Sequence, residues 1–319
     1  MKALIKKIVW ASGVLSFYHR TRNRRTLSIA QLHRVLPDGS DEHRNSEQEY
    51  ALTESEFEAC LKFFRKHYNV VGLADVMAAV RGEKRLPDRA MLISFDDGWQ
   101  DNVTFAEPLL KRYGMRATMF VNVEAIEQTG DRWWQDALVE TFANKLAAQA
   151  LPELGEAPKF YDAAIHMLQT PRDERVAKLA AGIRYTPASR QMLTAEALGR
   201  IDKSVWDIGS HGHTHSPLIY LDDVSREIGP TAATIAGWIG QPVDSIAFPH
   251  GRYTPAIVDR CYADGFAAVM SSDARLNNSD ALPRVLGRIN IDPTIAAAHS
   301  GYSANVNLAY GLWKREFQN

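Results

Sequence analysis

The chain has 319 residues, 45% of them apolar, and a formal net charge of −1 at pH 7. This length and composition allow one enzyme-sized domain with a large buried core, and the balanced charge gives no global bias towards nucleic acid or membranes. No apolar run in the sequence reaches the roughly 18 residues typical of a membrane-spanning helix. The two cysteines, Cys60 and Cys261, stand apart and form no C-x-x-C motif, so they say little about the compartment.

The N-terminal segment, residues 1–26, combines basic residues with a moderately apolar stretch. It resembles a signal peptide superficially, but no small-x-small cleavage site precedes the basic run at residues 20–25. We therefore predict an amphipathic helix with a solvated basic face. The alternative is weak contact of that face with an anionic membrane surface. A cytoplasmic or inner-membrane-associated location is favoured on the same grounds.

Residues 27–310 alternate predicted strands with predicted helices, which is the βα pattern of a parallel sheet. The polar loop Pro37–Tyr50 has the length of loops that cover active sites, and a capping box at Thr53–Glu56 opens the helix that follows. The later strands are predicted at Met91–Phe95, Met115–Val123, Val205–Gly209, Ser245–Phe248 and Phe266–Met270, and the later helices at Asp222–Ile239 and Pro255–Asp264. Residues 130–200 break this rhythm with alanine-rich stretches, Asp136–Ala150 and Arg172–Gly182, and are predicted to form a helical insertion.

Two adjacent carboxylates, Asp96 and Asp97, follow the apolar run Met91–Phe95. Consecutive side chains of a regular strand point to opposite faces, so both can reach one site only where the strand ends. Gly98 allows the sharp turn that this requires. One aspartate can then bind a metal ion while the other handles protons, although a lone pair of this kind is more often a helix cap or a solvated turn.

A second cluster places three histidines within five residues, at His211, His213 and His215. The i, i+4 spacing of His211 and His215 puts two imidazoles on one side of a helical turn or tight loop. A carboxylate can then complete three protein ligands around zinc, with the fourth position open for water. A lone histidine-rich loop is often a satisfied polar cluster, but the two motifs together indicate a divalent-metal hydrolase site.

The segments Ser94–Gly98 and Ser210–Leu218 resemble the first and second motifs of the polysaccharide deacetylases (NodB-homology domain, carbohydrate esterase family 4). The resemblance implies a metal-dependent N-deacetylase with Asp96 as the catalytic base. The implied metal ligands are Asp97, His211 and His215. His213 occupies a position that the family leaves variable, so we expect it to be structural or to support a ligand. Pattern and resemblance together predict an α/β fold, an irregular (β/α) barrel of six or seven parallel strands, with the motifs at the carboxyl ends of the strands.

The segment Ile29–Val35 resembles the YHRV stretch of one branch of this family, which includes the poly-N-acetylglucosamine deacetylases. Leu32 stands where the branch usually has an aromatic residue. In that branch the strand with the catalytic acid is permuted to the N-terminal side, which implies that His33 protonates the leaving amine. The alternative is a histidine satisfied at a strand end, and His299 is then the next candidate for the acid.

The third family motif, Arg-x-Pro-Tyr-Gly, corresponds here to Ala247–Gly251, in which the arginine is absent. In the family this arginine orients the catalytic aspartate, so either Arg284 or Arg288 replaces it, or the base is held differently. His250 stands in place of the tyrosine whose backbone amide helps to bind the acetyl oxygen, and a backbone donor survives that change. Pro249, His250 and Arg288 are therefore expected among the substrate-binding residues.

Trp133 and Trp134 open the insertion, and the same branch often has a similar pair. A pyranose face packs well on an aromatic ring, so Trp134 is a candidate for sugar stacking, whereas paired tryptophans are more often core anchors.

The motifs together predict a zinc-class hydrolase that removes N-acetyl groups from N-acetylhexosamine units of a polysaccharide, such as an exopolysaccharide, or of an oligosaccharide. The expected partner is an N-acetylated glycan, and no nucleic acid is expected. One alternative is a metal amidohydrolase of the same fold acting on a non-sugar amide. Another is a carbohydrate-binding homologue with a degenerate site, although binding alone requires neither a metal triad nor a base.

Overall fold

The computed structural model describes residues 12–13, 17, 21–128, 130–296, 308–309, 312 and 316–317. Most of the predicted N-terminal helix and the alternative acid His299 lie outside the described residues. Within the described part of the chain, no helix is both long and apolar enough to cross a bilayer.

The strands and helices alternate along much of the chain. The strands are β1 (Thr26–Leu32), β2 (Arg34–Leu36), β3 (Ala51–Thr53), β4 (Asn69–Val70), β5 (Ala90–Asp97), β6 (Ala117–Val121), β7 (Trp206–Ser210), β8 (Ser245–Ala247), β9 (Ala268–Met270), β10 (Arg275–Asn278), β11 (Val285–Leu286), β12 (Ile289–Asn290) and β13 (Glu316–Phe317). The α-helices are α1 (Asp41–Asn45), α2 (Glu54–His67), α3 (Leu73–Val80), α4 (Glu107–Tyr113), α5 (Val123–Glu127), α6 (Trp134–Ala143), α7 (Ala147–Ala150), α8 (Phe160–Met167), α9 (Arg175–Lys178), α10 (Ala195–Gly199), α11 (Ser225–Ile239), α12 (Pro255–Ala263) and α13 (Pro293–Ala296). A π-helical turn at Asn102–Ala106 precedes α4, and short 3₁₀ turns occur at Pro152–Leu154, Arg172–Glu174, Ala180–Gly182, Leu218–Tyr220 and Pro249–Gly251.

A nearly closed, mostly parallel sheet forms the centre of the molecule. Its strands pair in the order β11-β9-β8-β7-β6-β5-β1, and β12 pairs in parallel with β1 on the opposite edge. Because only two residues separate β11 from β12, one interrupted segment contacts both β9 and β1 and closes the ring. The predicted (β/α) barrel is confirmed. Among the described residues the ring has eight strands, slightly more than predicted, because the closing segment is split in two.

The split in the closing segment falls at Gly287 and Arg288. The side chain of Asn277 accepts a hydrogen bond from the Gly287 amide at 2.8 Å and donates one to its carbonyl at 2.9 Å. A Cβ on Gly287 would lie 2.7 Å from the carbonyl oxygen of Asp273, so this close approach requires glycine. The bend is therefore held at a defined point, directly before Arg288.

Helix α2 shows how the local sequence signals act. The Thr53 hydroxyl accepts from the Glu56 amide at 3.2 Å, and the Glu56 carboxylate accepts from the Thr53 amide at 2.8 Å, which is the predicted capping box. The face with Phe57, Leu61 and Phe64 is buried in the main core. This packing fixes the helix against the barrel.

Residues 130–200 form short helices with a core of their own. Trp133, Trp134, Leu138, Met167 and Leu179 are buried together in this core. The alanine-rich stretch at 136–150 contains two helices, the end of α6 and α7, and Lys145 between them takes a left-handed backbone conformation with φ +58°. Helix α8 lies between the two alanine-rich stretches, where the sequence analysis named no individual helix.

Candidate active site

The chemically active side chains gather at the carboxyl ends of the barrel strands. His33 follows β1, Asp97 ends β5, His211 follows β7, and His250 follows β8. Arg288 lies between β11 and β12, in the segment that closes the ring. Residues that are far apart in sequence therefore share one end of the barrel, the end at which such folds place their chemistry.

The end of β5 explains how two consecutive aspartates reach one site. Asp96 and Asp97 are still in register with β6, but Asp97 has φ +76° and Gly98 has φ +90°. A positive φ is uncommon for a residue other than glycine and here interrupts the alternation of the strand. As a result, His211 Nε2 lies 3.8 Å from Asp96 Oδ2 and 3.5 Å from Asp97 Oδ1.

The loop after β7 carries the histidines and is held by one buried carboxylate. Glu227 Oε2 accepts from the amides of His213 and Thr214 at 3.0 and 2.9 Å, and Glu227 Oε1 accepts from the Thr214 hydroxyl at 2.8 Å. The histidines consequently lie on a tight loop and not on a helical turn. His215, with φ +58°, then lies with its Nε2 at 3.1 Å from Asp97 Oδ1.

Asp97, His211 and His215 form a group whose nitrogen and oxygen atoms lie within 4.8 Å of one another. Their hydrogen bonds fit a metal site. His211 Nδ1 donates to the carbonyl of Ala247 at 2.8 Å, and His215 Nδ1 donates to Gln135 Oε1 at 2.7 Å. In each neutral ring the proton is thus on Nδ1 and the lone pair is on Nε2, which faces the site.

The candidate carboxylate ligand, Asp97, also has one atom hydrogen-bonded to a neighbour and one atom without a partner in the part of the chain that the structure describes. Asp97 Oδ2 accepts from Trp99 Nε1 at 3.0 Å, whereas Asp97 Oδ1 is buried and has no hydrogen-bond partner among the described residues. Burial raises the pKa of Asp97, but the positive charges that His215, His33 and His211 carry in their protonated forms outweigh it, so the carboxyl pKa lies below its usual range. Burial lowers the pKa of His211 to about 4. An ionised carboxylate and a neutral imidazole are the ligand states that a divalent metal requires.

Asp96 is held by a buried arginine. Arg288 donates two parallel hydrogen bonds to it, at 2.6 and 2.8 Å, and Gln31 Nε2 donates a third at 2.9 Å. Burial raises the pKa of Asp96, but the charge of Arg288 outweighs it and leaves the pKa lowered. Of the two arginines predicted as replacements for the one missing from the third motif, Arg288 is the one that pairs with Asp96. Arg284 is 65% exposed and pairs with Asp259 on the surface.

The expectation that Arg288 contacts the substrate is wrong, because its side chain is fully buried beneath Asp96. Trp134 likewise cannot offer a ring face to a sugar, because it is 3% exposed. Its Nε1 donates to Glu124 at 3.1 Å, and the guanidinium of Arg175 lies over its ring at 5.0 Å. The neighbouring Trp133 is the one that reaches the site, where its ring meets that of His215 edge-on at 5.2 Å.

His33 lies on the side of Asp96 that faces β1. Its Nε2 is 3.9 Å from Asp96 Oδ2, and its ring contacts Tyr50 at 4.6 Å. Its backbone carbonyl accepts from Asn102 at 2.7 Å. Burial lowers the pKa of His33, although Asp97 and Asp96 act in the opposite direction. The chain thus places an imidazole next to the two carboxylates.

The remaining candidates lie around this centre. His213 is half-buried and is not part of the three-ligand group. Pro249 is buried, and His250 Nε2 lies 3.2 Å from the carbonyl of His215, with the two rings 4.6 Å apart. Burial, reinforced by His215, lowers the pKa of His250 to about 3, so this ring is neutral.

Sequence reasoning missed four residues that hold the site together. They are Gln31, Trp99, Gln135 and Glu227. Gln31, Trp99 and Gln135 each lie within four residues, along the sequence, of a predicted site residue or of the tryptophan pair. This closeness in sequence was the signal that could have found them. Glu227 is a single helix residue with no such signal.

Comparison with known proteins agrees with this architecture. The family model described as "Polysaccharide deacetylase" matches residues 83–269, more than half of the chain. A curated protein of Bacillus subtilis (strain 168), YxkH, whose name places it among the polysaccharide deacetylases, is 35% identical over 71 residues. That match covers 22% of this chain and 25% of YxkH, so the alignment spans about a quarter of the relative's length.

Solved structures show the same fold at low sequence identity. The Streptococcus pyogenes deacetylase PplD has a TM-score of 0.60 at 16% identity, with 91% of this chain and 99% of that chain covered. IcaB from Ammonifex degensii has a TM-score of 0.59 at 18% identity, covering 90% and 97%. A de-N-acetylase from Aggregatibacter actinomycetemcomitans has a TM-score of 0.58 at 14% identity, covering 88% and 99%. With the family match over the barrel and its motifs, these findings lead to one conclusion: the chain belongs to the polysaccharide deacetylase family, a family of hydrolases.

Proposed function

We propose that this chain is a metal-dependent hydrolase that removes N-acetyl groups from N-acetylhexosamine units of a polysaccharide or oligosaccharide. The observation that carries the proposal is the convergence of three metal-ligand atoms within 4.8 Å beside a second carboxylate, Asp96, that is ion-paired to Arg288. A site used only for binding would need neither feature. Family membership supports deacetylation as the reaction class.

Asp97, His211 and His215 would hold the ion. Two neutral imidazoles and one carboxylate suit a divalent metal of the zinc class, which in catalytic sites keeps a fourth position for water. When bound, such an ion lowers the pKa of a coordinated water from about 15.7 to about 7 and polarises the acetyl carbonyl.

Asp96 would accept the proton of the attacking water. Its lowered pKa means that it is ionised at neutral pH and therefore able to act as a base. Arg288 and Gln31 fix the orientation of the carboxylate, so the acceptor does not have to be positioned during the reaction. The pairing also stabilises a charge that burial alone would disfavour.

The amide substrate imposes two further requirements, a donor for the oxyanion and a proton for the leaving nitrogen. In the turn after β8, Pro249 has no N–H and the Gly251 amide donates to the Phe248 carbonyl at 2.9 Å, which leaves the amide of His250 as the donor. One well-placed donor contributes about 3–4 kcal/mol in other enzymes. His33 would protonate the amine, which is worth about 10²–10⁴-fold in rate.

The test is release of acetate from an N-acetylglucosamine oligomer, measured together with the metal content of the purified protein. We expect about one zinc-class ion per chain, loss of activity after chelation, and recovery when zinc is added back. Release of acetate from small non-sugar amides but not from the oligomer would favour an amidohydrolase of another specificity. Binding of the oligomer without acetate release, in protein that carries the metal, would favour a carbohydrate-binding homologue.

A further inference from the structure

A line of aromatic rings leads away from the candidate metal ligand His215. The rings of His215 and His250 are 4.6 Å apart, those of His250 and Tyr161 are 5.4 Å apart, and those of Tyr161 and Tyr220 are 5.4 Å apart. Tyr161 belongs to α8 of the insertion, whereas Tyr220 ends the 3₁₀ turn that follows the histidine loop. The guanidinium of Arg252, which is exposed, lies over the ring of Tyr161 at 5.2 Å. We call Tyr161, Tyr220 and Arg252 the tyrosine platform.

The platform leaves an aromatic face open to solvent. Among the described residues the large apolar side chains that are exposed are Phe17, Tyr50 and Tyr220, and Tyr220 is 49% exposed. Two of these three lie at the rim of the site, because Tyr50 contacts His33 and Tyr220 continues the line from His215. Exposed aromatic rings that are grouped around a polar centre are typical of a binding surface.

The contacts within the platform keep Tyr220 in place. Its ring lies 5.4 Å from that of Tyr161 and is tilted by 36° from it, and 49% of the residue remains exposed. Tyr161 is half-buried, and its ring also contacts the ring of His250 and the guanidinium of Arg252. Tyr220 therefore offers the free face, and Arg252 offers hydrogen-bond donors beside it.

We infer that the tyrosine platform binds the sugar unit next to the one that is deacetylated, so that Tyr220 is a specificity-determining residue that favours a chain of N-acetylhexosamines over the single sugar. The inference rests on the proposed function, because it places the reacting N-acetyl group at the neighbouring metal site. The apolar C–H face of a pyranose packs on an aromatic ring in the way that other apolar groups do. The donors of Arg252 match the hydroxyl and acetamide oxygens of the same sugar.

The test compares acetate release from N-acetylglucosamine and from its tetramer, expressed as the ratio of the two kcat/KM values. We expect the wild-type protein to favour the tetramer, and Tyr220→Ala to lower the ratio by about tenfold, since the loss of one stacked ring is of that order. Tyr220→Trp should keep a high ratio, because it retains a ring face. Tyr113→Ala is the matched control, since this half-buried tyrosine lies at the end of α4 and bonds to Glu58, away from the site. A ratio that is the same in the wild type and in Tyr220→Ala would overturn the inference.

A second measurement separates failure of the platform from failure of the proposed function. Calorimetric titration of the tetramer into the full-length Asp96→Asn variant, with and without Tyr220→Ala, reports binding without turnover. If the wild type releases no acetate from either sugar, the proposed function fails. In that case about tenfold weaker tetramer binding after Tyr220→Ala still supports the platform, and equal binding refutes it.

Discussion

Replacing Arg288 by alanine would remove a cation that donates hydrogen bonds to Asp96 at 2.6 and 2.8 Å and to the Ser271 carbonyl at 3.0 Å. The side chains of Arg288 and Asp96 are 0% and 1% exposed, so water cannot easily replace the lost donors. Asp96 would remain buried with Gln31 as a close donor. Its pKa should then rise, because burial favours the neutral form once the opposite charge is gone.

The magnitude follows from the burial of the pair. Removing one partner of a buried ion pair costs about 3–5 kcal/mol, and two hydrogen bonds to a charged group, at about 1.5–3 kcal/mol each, give an overlapping range of about 3–6 kcal/mol. We therefore expect Arg288→Ala to lower the free energy of unfolding by about 3–5 kcal/mol. Asp96 acts as a base only when ionised, so a raised pKa should move the ascending limb of the pH–rate profile to higher pH.

Two assays check this prediction, chemical denaturation for stability and kcat/KM against pH for the base. Arg284→Ala is the matched control, because Arg284 and its partner Asp259 are both 65% exposed. An exposed pair contributes about 0–1 kcal/mol, so this variant should be close to wild type in both assays. If Arg288→Ala leaves the ascending limb in place and the stability within 1 kcal/mol of wild type, as an exposed pair would, the assignment of Arg288 to the base is refuted.

Three other predictions concern the metal, the base and the acid. Asp97→Ala and His215→Ala should each lose bound zinc and acetate release together, whereas His213→Ala should keep most of both; metal loss in the His213 variant alone would contradict the ligand set. Asp96→Asn should retain the ion but lose turnover by several orders of magnitude, because it removes a proton acceptor with little change of shape; near-normal turnover with metal bound would eliminate Asp96 as the base. His33→Ala should leave metal content unchanged and reduce cleavage of the amide far more than cleavage of an activated acetyl ester, whose leaving group needs little protonation. A general acid works only while it is protonated, so activity falls as pH rises through its pKa. Burial lowers the pKa of His33, which places the descending limb of the pH–rate profile on the acidic side of the usual histidine range. This limb should vanish in His33→Ala. Equal losses on both substrates would indicate a structural role.

Several parts of the molecule could be predicted from the sequence because their causes are local. The apolar run before Asp96 predicted a buried strand at the position of β5, and the Thr53–Glu56 capping box predicted the start of α2. The spacing of His211 and His215, with Asp97 after an apolar run, predicted three candidate ligands, and these residues do lie together. In each case the signal lies within a few residues of the feature.

Other features were decided by tertiary structure, because they depend on contacts between distant parts of the chain. Arg288 is 192 positions from Asp96, and only closure of the barrel through β11 and β12 brings it under that carboxylate while Arg284 stays on the surface. The burial of Trp134 follows from the packing of the insertion on its own core, which no local pattern specifies. Sequence periodicity shows which face of an element is apolar, but the partner of a buried charge is settled by the geometry of the closed sheet.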